Sequence, residues 1–550
     1  MRVERLLGRT DLNCSKLDSF YLNRQTSPRA TVKNGPNPAR TSQGASMSNP
    51  ENTQEPRADQ PVDADLTCDV VIVGCGVGGL YAALNLPRHL HAVLLSKASL
   101  DQCDSMLAQG GICVMHDPHD YRPYFRDTMR AGHWENRRSS VDVMVRSSRT
   151  VINDLVRLGV DFEREPDGEL AFTREGAHSR PRICFHADIT GKEITTTLLD
   201  RVRELPNVQI LENVEMIDII EEPADGGATT EGAAPAAGEQ HRCAGLVCRR
   251  TRPTNPAEPE SPVEAFGPAF EIRAAYTIWA TGGIGGTYER STNYRCLTGD
   301  ACRIAREHGI RLDHMDYVQI HPTGLYSKRP GRTFLISESC RGEGAILLDK
   351  SGNRFVDELL PRDVVADAIM AQMEKDGTDH EWLSFERIDP EVVRTHFAHI
   401  YDRCLEEGYD ILHEPAPIVP TQHYFMGGVW VATENSETSL PGLYAVGETS
   451  CNGVHGRNRL ASNSLLEGLV FAQRAARDIA AREELEAPGV DAAMTREVPE
   501  GLVSAELSGE GEPTPGTSAT DPASTKSCEE AEHEAEAIEA ARGGFTERRA

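Results

Sequence analysis

The apolar positions of this chain fall into short runs that end in glycine. Val70-Val71-Ile72-Val73 leads into Gly74-Cys75-Gly76-Val77-Gly78-Gly79, where glycines are spaced GxGxxG ahead of a helix-like stretch. A continuous apolar run of this length reads as a strand buried on both faces. The glycines let the backbone bend tightly, approach a pyrophosphate and pack the next helix on the sheet. That helix then points its unpaired N–H groups and positive dipole end at the phosphates. Standing by itself the motif also fits a glycine-rich turn with no nucleotide. A second run, Ala92-Val93-Leu94-Leu95, returns at the distance expected of a βαβ unit.

The second run ends at Ser96-Lys97, where a simple NAD site would place an acidic residue for the ribose hydroxyls. Two later glycine-ended runs, Tyr276 to Gly283 and Leu440 to Glu448, turn the reading towards a flavin. With the first turn they look like three separated strands of a doubly wound sheet crossed by an extended FAD. Between them lie a glycine-ended loop from Asp104 to Gly111 and a helical stretch around Val141–Leu158. Phe172 to Ser179 is polar and turn-like, and residues 223–241 read as an exposed insertion between strands. From Leu312 to Tyr424 the glycine-ended strands stop, which predicts a second domain inserted into the first. Residues 1–67 lack apolar periodicity, and residues 486–550 are acidic and Ser/Pro/Gly-rich; both are expected to be disordered, apart from a short helix over 529–541.

At 550 residues the chain is long enough for two or three domains. Its formal charge of −28 argues against a nucleic-acid partner. Much of that charge is local, since residues 483–550 carry 17 acidic and 5 basic residues. No apolar stretch is long enough to span a membrane. The 14 cysteines lack CxxC pairs or metal-site spacing, so they read as free, mostly buried thiols, and no metal is expected. A cytoplasmic protein is expected, although the Arg- and Ser-rich start also leaves an organelle transit segment open.

Four segments place charged or hydrogen-bonding groups where a core would not hold them. They are Gln319-Ile320-His321-Pro322-Thr323, Ser337-Glu338-Ser339-Cys340-Arg341, Pro361-Arg362-Asp363, and Gln422-His423-Tyr424 with His455-Gly456-Arg457-Asn458-Arg459. Together with the runs AQGG, TREGAHS, HPT, RGEGA, PRDVV, HYFMGG and NRLASNSLLEG, they make residues 68–482 resemble the succinate dehydrogenase/fumarate reductase flavoprotein superfamily, and within it the L-aspartate oxidases.

The resemblance implies an α/β fold: a doubly wound, Rossmann-like FAD-binding domain (68–314 and 425–485) with an inserted α+β capping domain (315–424). It implies FAD contacts from Gly74, Cys75, Gly76, Val77, Gly78, Gly79, Lys97, Asp104, Ser105, Met106, Leu107, Ala108, Gln109, Gly110, Gly111, Asp300, Glu448, Ser464 and Leu465. Respiratory members attach FAD covalently through a His at the position of Asp104, and a carboxylate cannot form that bond, so noncovalent FAD is expected. Gln319, His321, His423 and Arg459 are implied to bind the carboxylates of a C4 substrate, with Ser337 where the family usually has Thr. Arg362 is implied to move the proton and Glu338 to relay it, while Arg341 is left between a structural and a substrate-side role. Glu175, in TREGAHS, is implied to pair with the substrate amine.

The implied reaction is oxidation of L-aspartate to iminoaspartate, with O2 or fumarate as electron acceptor, feeding quinolinate synthase in NAD biosynthesis. Two rivals remain. A succinate dehydrogenase or fumarate reductase flavoprotein is disfavoured by Asp104 and Glu175, and a non-catalytic flavin-binding interaction protein is disfavoured by the intact Arg362, Glu338 and carboxylate-binding set.

Overall fold

The computed structural model describes residues 65–224, 241–258, 260–329 and 331–486. The N-terminal lead, most of the 223–241 insertion and the acidic tail lie outside the described residues. The first strand, β1 (Leu66–Val73), is followed by α1 (Val77–Asn85), β2 (Ala92–Ser96), α2 (Arg138–Leu158) and α3 (Thr190–Arg203). Next come β3 (Val208–Glu212), β4 (Val214–Pro223), β5 (His241–Pro253) and the long β6 (Val263–Trp279).

The apolar runs form the centre of a seven-stranded sheet in the order β3-β2-β1-β6-β5-β4. Strands β1, β2 and β3 are parallel, and β1 pairs parallel with the second half of β6, Ile272–Trp279. The first half of β6 instead pairs antiparallel with β5. Successive residues point alternately into two different cores. Val70, Ile72, Ala92 and Leu94 enter the core beneath α1, α2 and α3, while Val71, Val73, Val93 and Leu95 enter the core on the other face. Both faces of these strands are therefore covered, which is why their sequence reads as continuous apolar runs rather than as an alternating pattern.

Residues 318–425 build a second sheet. Strands β7 (Val318–Leu325), β8 (Ile346–Leu348), β9 (Glu381–Ser384) and β10 (Ala416–Phe425) pair antiparallel in the order β7-β10-β9-β8. They carry their own hydrophobic cluster around Ile336, Leu347, Ile369 and Ile418. Helices α4 (Glu338–Gly342) and α5 (Arg362–Asp376) belong to this part, and α5 packs on β7. The chain leaves the first sheet through Leu312–Asp313 and returns through Gly428–Trp430, and these two segments pair with each other. It then adds β11 (Leu443–Ala445) parallel to the end of β6 and closes with α6 (Asn463–Glu486) over the first core. Among the described residues no helix is long and apolar enough to cross a membrane, and all twelve described cysteines are buried and unbridged.

Four strands, β2, β1, β6 and β11, end at one level. Gly74 N–H donates to Leu95 O, Ala280 N–H to Val73 O and Val446 N–H to Trp279 O, at 2.8–2.9 Å. Gly74 has φ +111°, and a Cβ there would lie 2.0 Å from Ala280 O. Gly74→Ala is therefore expected to cost at least about 2 kcal/mol from backbone strain before the clash is relieved. The readouts are a lowered Tm and loss of copurified flavin, and a wild-type Tm would show that the two turns do not need this approach.

Candidate active site

The strand ends open on a cavity of about 490 Å³, at the carboxyl edge of the parallel strands where doubly wound folds bind dinucleotides. Its wall begins at Lys97 and Asp300, passes the turn Gly74–Gly78 and the loop Asp104–Gly111, and includes Glu448, Ser464 and Leu465. Lys97 Nζ donates to Asp300 Oδ2 at 2.6 Å and to Thr298 Oγ1 at 2.9 Å. Gly79 is the one expected cofactor residue that does not reach the wall. It sits under the turn, where a Cβ would lie 1.9 Å from Gly74 O, so its role is to let α1 pack against the bend.

These residues fit a flavin dinucleotide. The N-cap Gly76 gives α1 no side-chain cap; Ser105 Oγ accepts from Val77 N–H at 3.1 Å, and the following N–H groups are left to face an anion beside a turn of small residues. Asp104 Oδ2 and Gln109 Oε1 are buried on the same wall without a partner. Burial pushes the Asp104 carboxyl up to about 7, against the opposing Tyr294 N–H donor. Burial and then Asp104 push Glu448 up to about 8. In the protonated form each acid carries an O–H donor beside its remaining acceptors.

At the other end of the cavity the two sheets meet, and the sequence segments singled out for chemistry converge. His321 stands on β7 and His423 on the adjacent β10, with ring centroids 5.1 Å apart. The ladder shifts register on both sides of His321, next to Pro322, which has no N–H to give to the sheet. Arg362 is the first residue of α5 and Glu338 the first of α4. Arg362 Nε donates to Glu338 Oε2 at 2.5 Å, and Arg341 lies 3.4 Å from the same oxygen. Burial acts to raise the Glu338 pKa, but Arg362 and Arg341 outweigh it and hold the carboxyl below its ordinary value.

Both histidines are neutral. Burial, then the neighbouring arginines and His423, push His321 well below its ordinary pKa; burial with Arg459 and Arg362 does the same to His423. Thr323 N–H donates to His321 Nδ1 at 3.2 Å, which puts the proton on Nε2, a buried atom with no partner among the described residues. That N–H is available to an acceptor in the cavity. Burial and Arg362 lower Arg459 to about 10, which still leaves it cationic. Glu175 lines the same cavity, and burial and then Glu338 raise its pKa.

Gln319 is buried but does not line the cavity. It lies behind the arginines: its Oε1 accepts from Arg362 Nη1 at 3.0 Å and Arg459 Nε at 3.3 Å, and its Nε2 donates to Asn458 Oδ1 and Arg459 O. In this position it braces both guanidinium groups from behind. Ser337 lines the cavity and also caps α4, accepting from Ser339 N–H at 3.2 Å. Arg341 is fully buried and donates to the Glu358 carbonyl, which leaves it behind Glu338 rather than on the wall.

Comparison with known proteins follows this layout. The FAD binding domain family matches residues 69–465. A curated L-aspartate oxidase of Clostridium perfringens is 45% identical over 412 residues, covering 75% of this chain and 86% of that protein. Another, from Clostridium acetobutylicum, is 41% identical over 76% of this chain and 88% of its own length. The chain belongs to the L-aspartate oxidase family. A solved E. coli quinol fumarate reductase chain superposes with a TM-score of 0.66 at 30% identity, covering 78% of this chain and 72% of that one.

Several residues of this L-aspartate oxidase family site were given no role by the sequence, although Tyr424, Ser339 and Ser462 lie in the segments singled out there. Thr292 shares a 2.8 Å hydrogen bond with His423 Nδ1, and Tyr424 lies beneath the Arg459 guanidinium at 4.4 Å. Ser339 and Ser462 both bond Glu175. Ordinary Thr, Tyr and Ser side chains give no signal until the fold brings them to a charged group. Two glycines did carry one. A Cβ on Gly110 of AQGG would lie 2.1 Å from Glu175 Oε1, and one on Gly176 of TREGAHS 2.2 Å from Glu338 Oε1. With a carboxyl at position 104, the flavin should be released on acid precipitation, leaving a colourless pellet and a yellow supernatant. A pellet that keeps its flavin absorbance would contradict noncovalent binding.

Proposed function

We propose that this protein oxidises L-aspartate to iminoaspartate, the observation that carries the reading being Glu175, a buried carboxylate on a cavity wall otherwise furnished to receive a dianion. Arg459 grips one substrate carboxylate, and the Nε2–H of His321 with the ring of His423 receives the other. Arginine suits this because its planar fork matches a carboxylate and stays charged when buried. The neutral histidines donate hydrogen bonds without adding further buried charge next to Arg362 and Arg459. Glu175 pairs with the ammonium that separates aspartate from succinate.

Residues 315–424 are read as a cap that seals the site and brings His321, Glu338, Arg362 and His423 to it. When bound, FAD would supply the two-electron acceptor for the hydride from Cα, and the ammonium would give up one proton as the C=N bond forms. Arg362 handles the proton: in the fumarate direction its guanidinium donates to the substrate carbon. A guanidinium gives up a proton only where it is promptly replaced, and the 2.5 Å contact with Glu338 provides the route. O2, reduced to H2O2, or fumarate, reduced to succinate, would serve as the final electron acceptor. The imine hydrolyses in water, so a following enzyme must consume it promptly; quinolinate synthase, in NAD biosynthesis, is that partner.

The purified flavoprotein should form peroxide with L-aspartate and none with succinate; the reverse preference would assign it to the succinate-oxidising relatives. Glu175→Gln should lower kcat/KM for L-aspartate by about 100-fold or more while fumarate reduction stays within a few fold, because only the aspartate ammonium needs the charge. A parallel fall in both would make Glu175 a structural residue. Arg362→Lys keeps a charge but changes donor geometry, and fumarate reduction should fall by roughly 10²–10⁴-fold with flavin still bound. Activity within about tenfold of wild type would remove Arg362 from proton transfer.

A further inference from the structure

Each oxygen of Glu175 is held by a serine hydroxyl from a different part of the chain. Ser339 Oγ donates to Oε1 at 2.9 Å, and Ser462 Oγ donates to Oε2 at 2.5 Å. All three side chains are buried. Ser339 is the second residue of α4, next to Glu338, and Ser462 lies just before α6. Ser462 has φ +59°, a left-handed backbone that costs a non-glycine residue about 1 kcal/mol or more. Such strain persists where the surroundings over-determine it, and here the Ser462 hydroxyl is spent on Glu175.

We propose that Ser339 and Ser462 are positioning residues that hold the Glu175 carboxylate in one orientation towards the substrate amine, and so set the preference for an amino dicarboxylate over a plain one. The inference rests on the amine-binding reading of Glu175. The physical need for such a clamp comes from the neighbours. Arg362, Arg341 and Arg459 all exert a field on Glu175 or feel its own. Glu338 repels it, and burial and then the Glu175 charge raise the pKa of the Cys113 thiol. A glutamate with free torsions among three arginines would turn to pair with one of them, satisfying the protein and leaving the amine without a partner. Two neutral donors, one on each oxygen, prevent this collapse without cancelling the negative charge, and the remaining lone pairs stay available to an ammonium.

Ser339 has a further effect on charge. Burial and Glu338 raise the Glu175 pKa, while Arg362 and the two hydroxyls work against that rise. Removing a donor to the charged form moves the pKa up again. Aspartate binding, which needs the ionised form, is then lost at a higher pH on the acid side.

The test uses the full-length, FAD-loaded protein with Ser339→Ala, Ser339→Thr, Ser462→Ala and Glu175→Gln, assayed with L-aspartate and with fumarate over pH. Ser339→Ala should raise KM for L-aspartate by about tenfold with kcat changed less than about twofold, as for loss of one hydrogen bond to a charged group. The acid limb of kcat/KM for L-aspartate should move to higher pH, KM for fumarate should stay in place, and Ser339→Thr should restore the wild-type profile. Ser462→Ala should act in the same direction. If both alanine variants leave the aspartate KM and acid limb unmoved while Glu175→Gln raises that KM, the serine clamp is refuted and the role of Glu175 stands. If Glu175→Gln also leaves aspartate untouched, the reading of Glu175 itself falls. Equal increases in KM for both substrates, with flavin loss, would make the serines structural and overturn the proposal.

Discussion

Two buried arginines share one neutral acceptor at the centre of this protein. Arg362 and Arg459 both donate to Gln319 Oε1, and each lowers the protonation tendency of the histidines around them. Like charges held this close in a dry site are costly unless they are paired and hydrogen-bonded. Glu338 pairs with Arg362, Tyr424 lies under Arg459, and Gln319 is itself fastened to Asn458. The resulting excess of positive charge is what a dicarboxylate satisfies, and it lies inside a chain whose net charge is −28. A local field of this kind decides what binds where the overall charge would repel it.

The arrangement depends on two separately built layers. The parallel sheet supplies the strand ends, the glycine-rich turn and the loop Asp104–Gly111, while the antiparallel sheet supplies His321, His423, Glu338 and Arg362. Contacts cross between them at Arg459 and Gln319, and at Glu175, which is bonded by Ser339 from one layer and Ser462 from the other. The paired segments Leu312–Asp313 and Gly428–Trp430 keep the exit and return of the inserted chain together. The site is therefore a property of the junction between layers, with each layer contributing an incomplete half.

In the proposed reaction, selectivity and proton relay fall to two carboxylates in contrasting surroundings. Arg362 and Arg341 overcome burial at Glu338 and lower its pKa, whereas burial and Glu338 raise that of Glu175. The residues differ by environment rather than by type, as expected where neighbouring acids serve different tasks. Gly110 and Gly176 make this possible by leaving space for the two carboxyl groups at distances no side chain would tolerate.

Much of this was legible in the sequence because it depends on local pattern. Continuous apolar runs ending in glycine identify buried parallel strands whose turns admit a dinucleotide, and β1, β2 and the end of β6 pair accordingly. Clustered His, Arg and Glu in otherwise structured segments marked His321, Glu338, Arg362, His423 and Arg459, and all five line the cavity. What the tertiary structure alone decided is the division of labour among neighbours. Gln319 became a brace because its amide meets two arginines and an asparagine from distant segments, and Gly79 became a packing residue because the Gly74 carbonyl occupies the space beside it. Ser339 and Ser462, though inside marked segments, had no readable role for the same reason. A hydroxyl takes its role from the group it reaches, and the 164 and 287 residues separating these serines from Glu175 are bridged only when the two sheets close on each other.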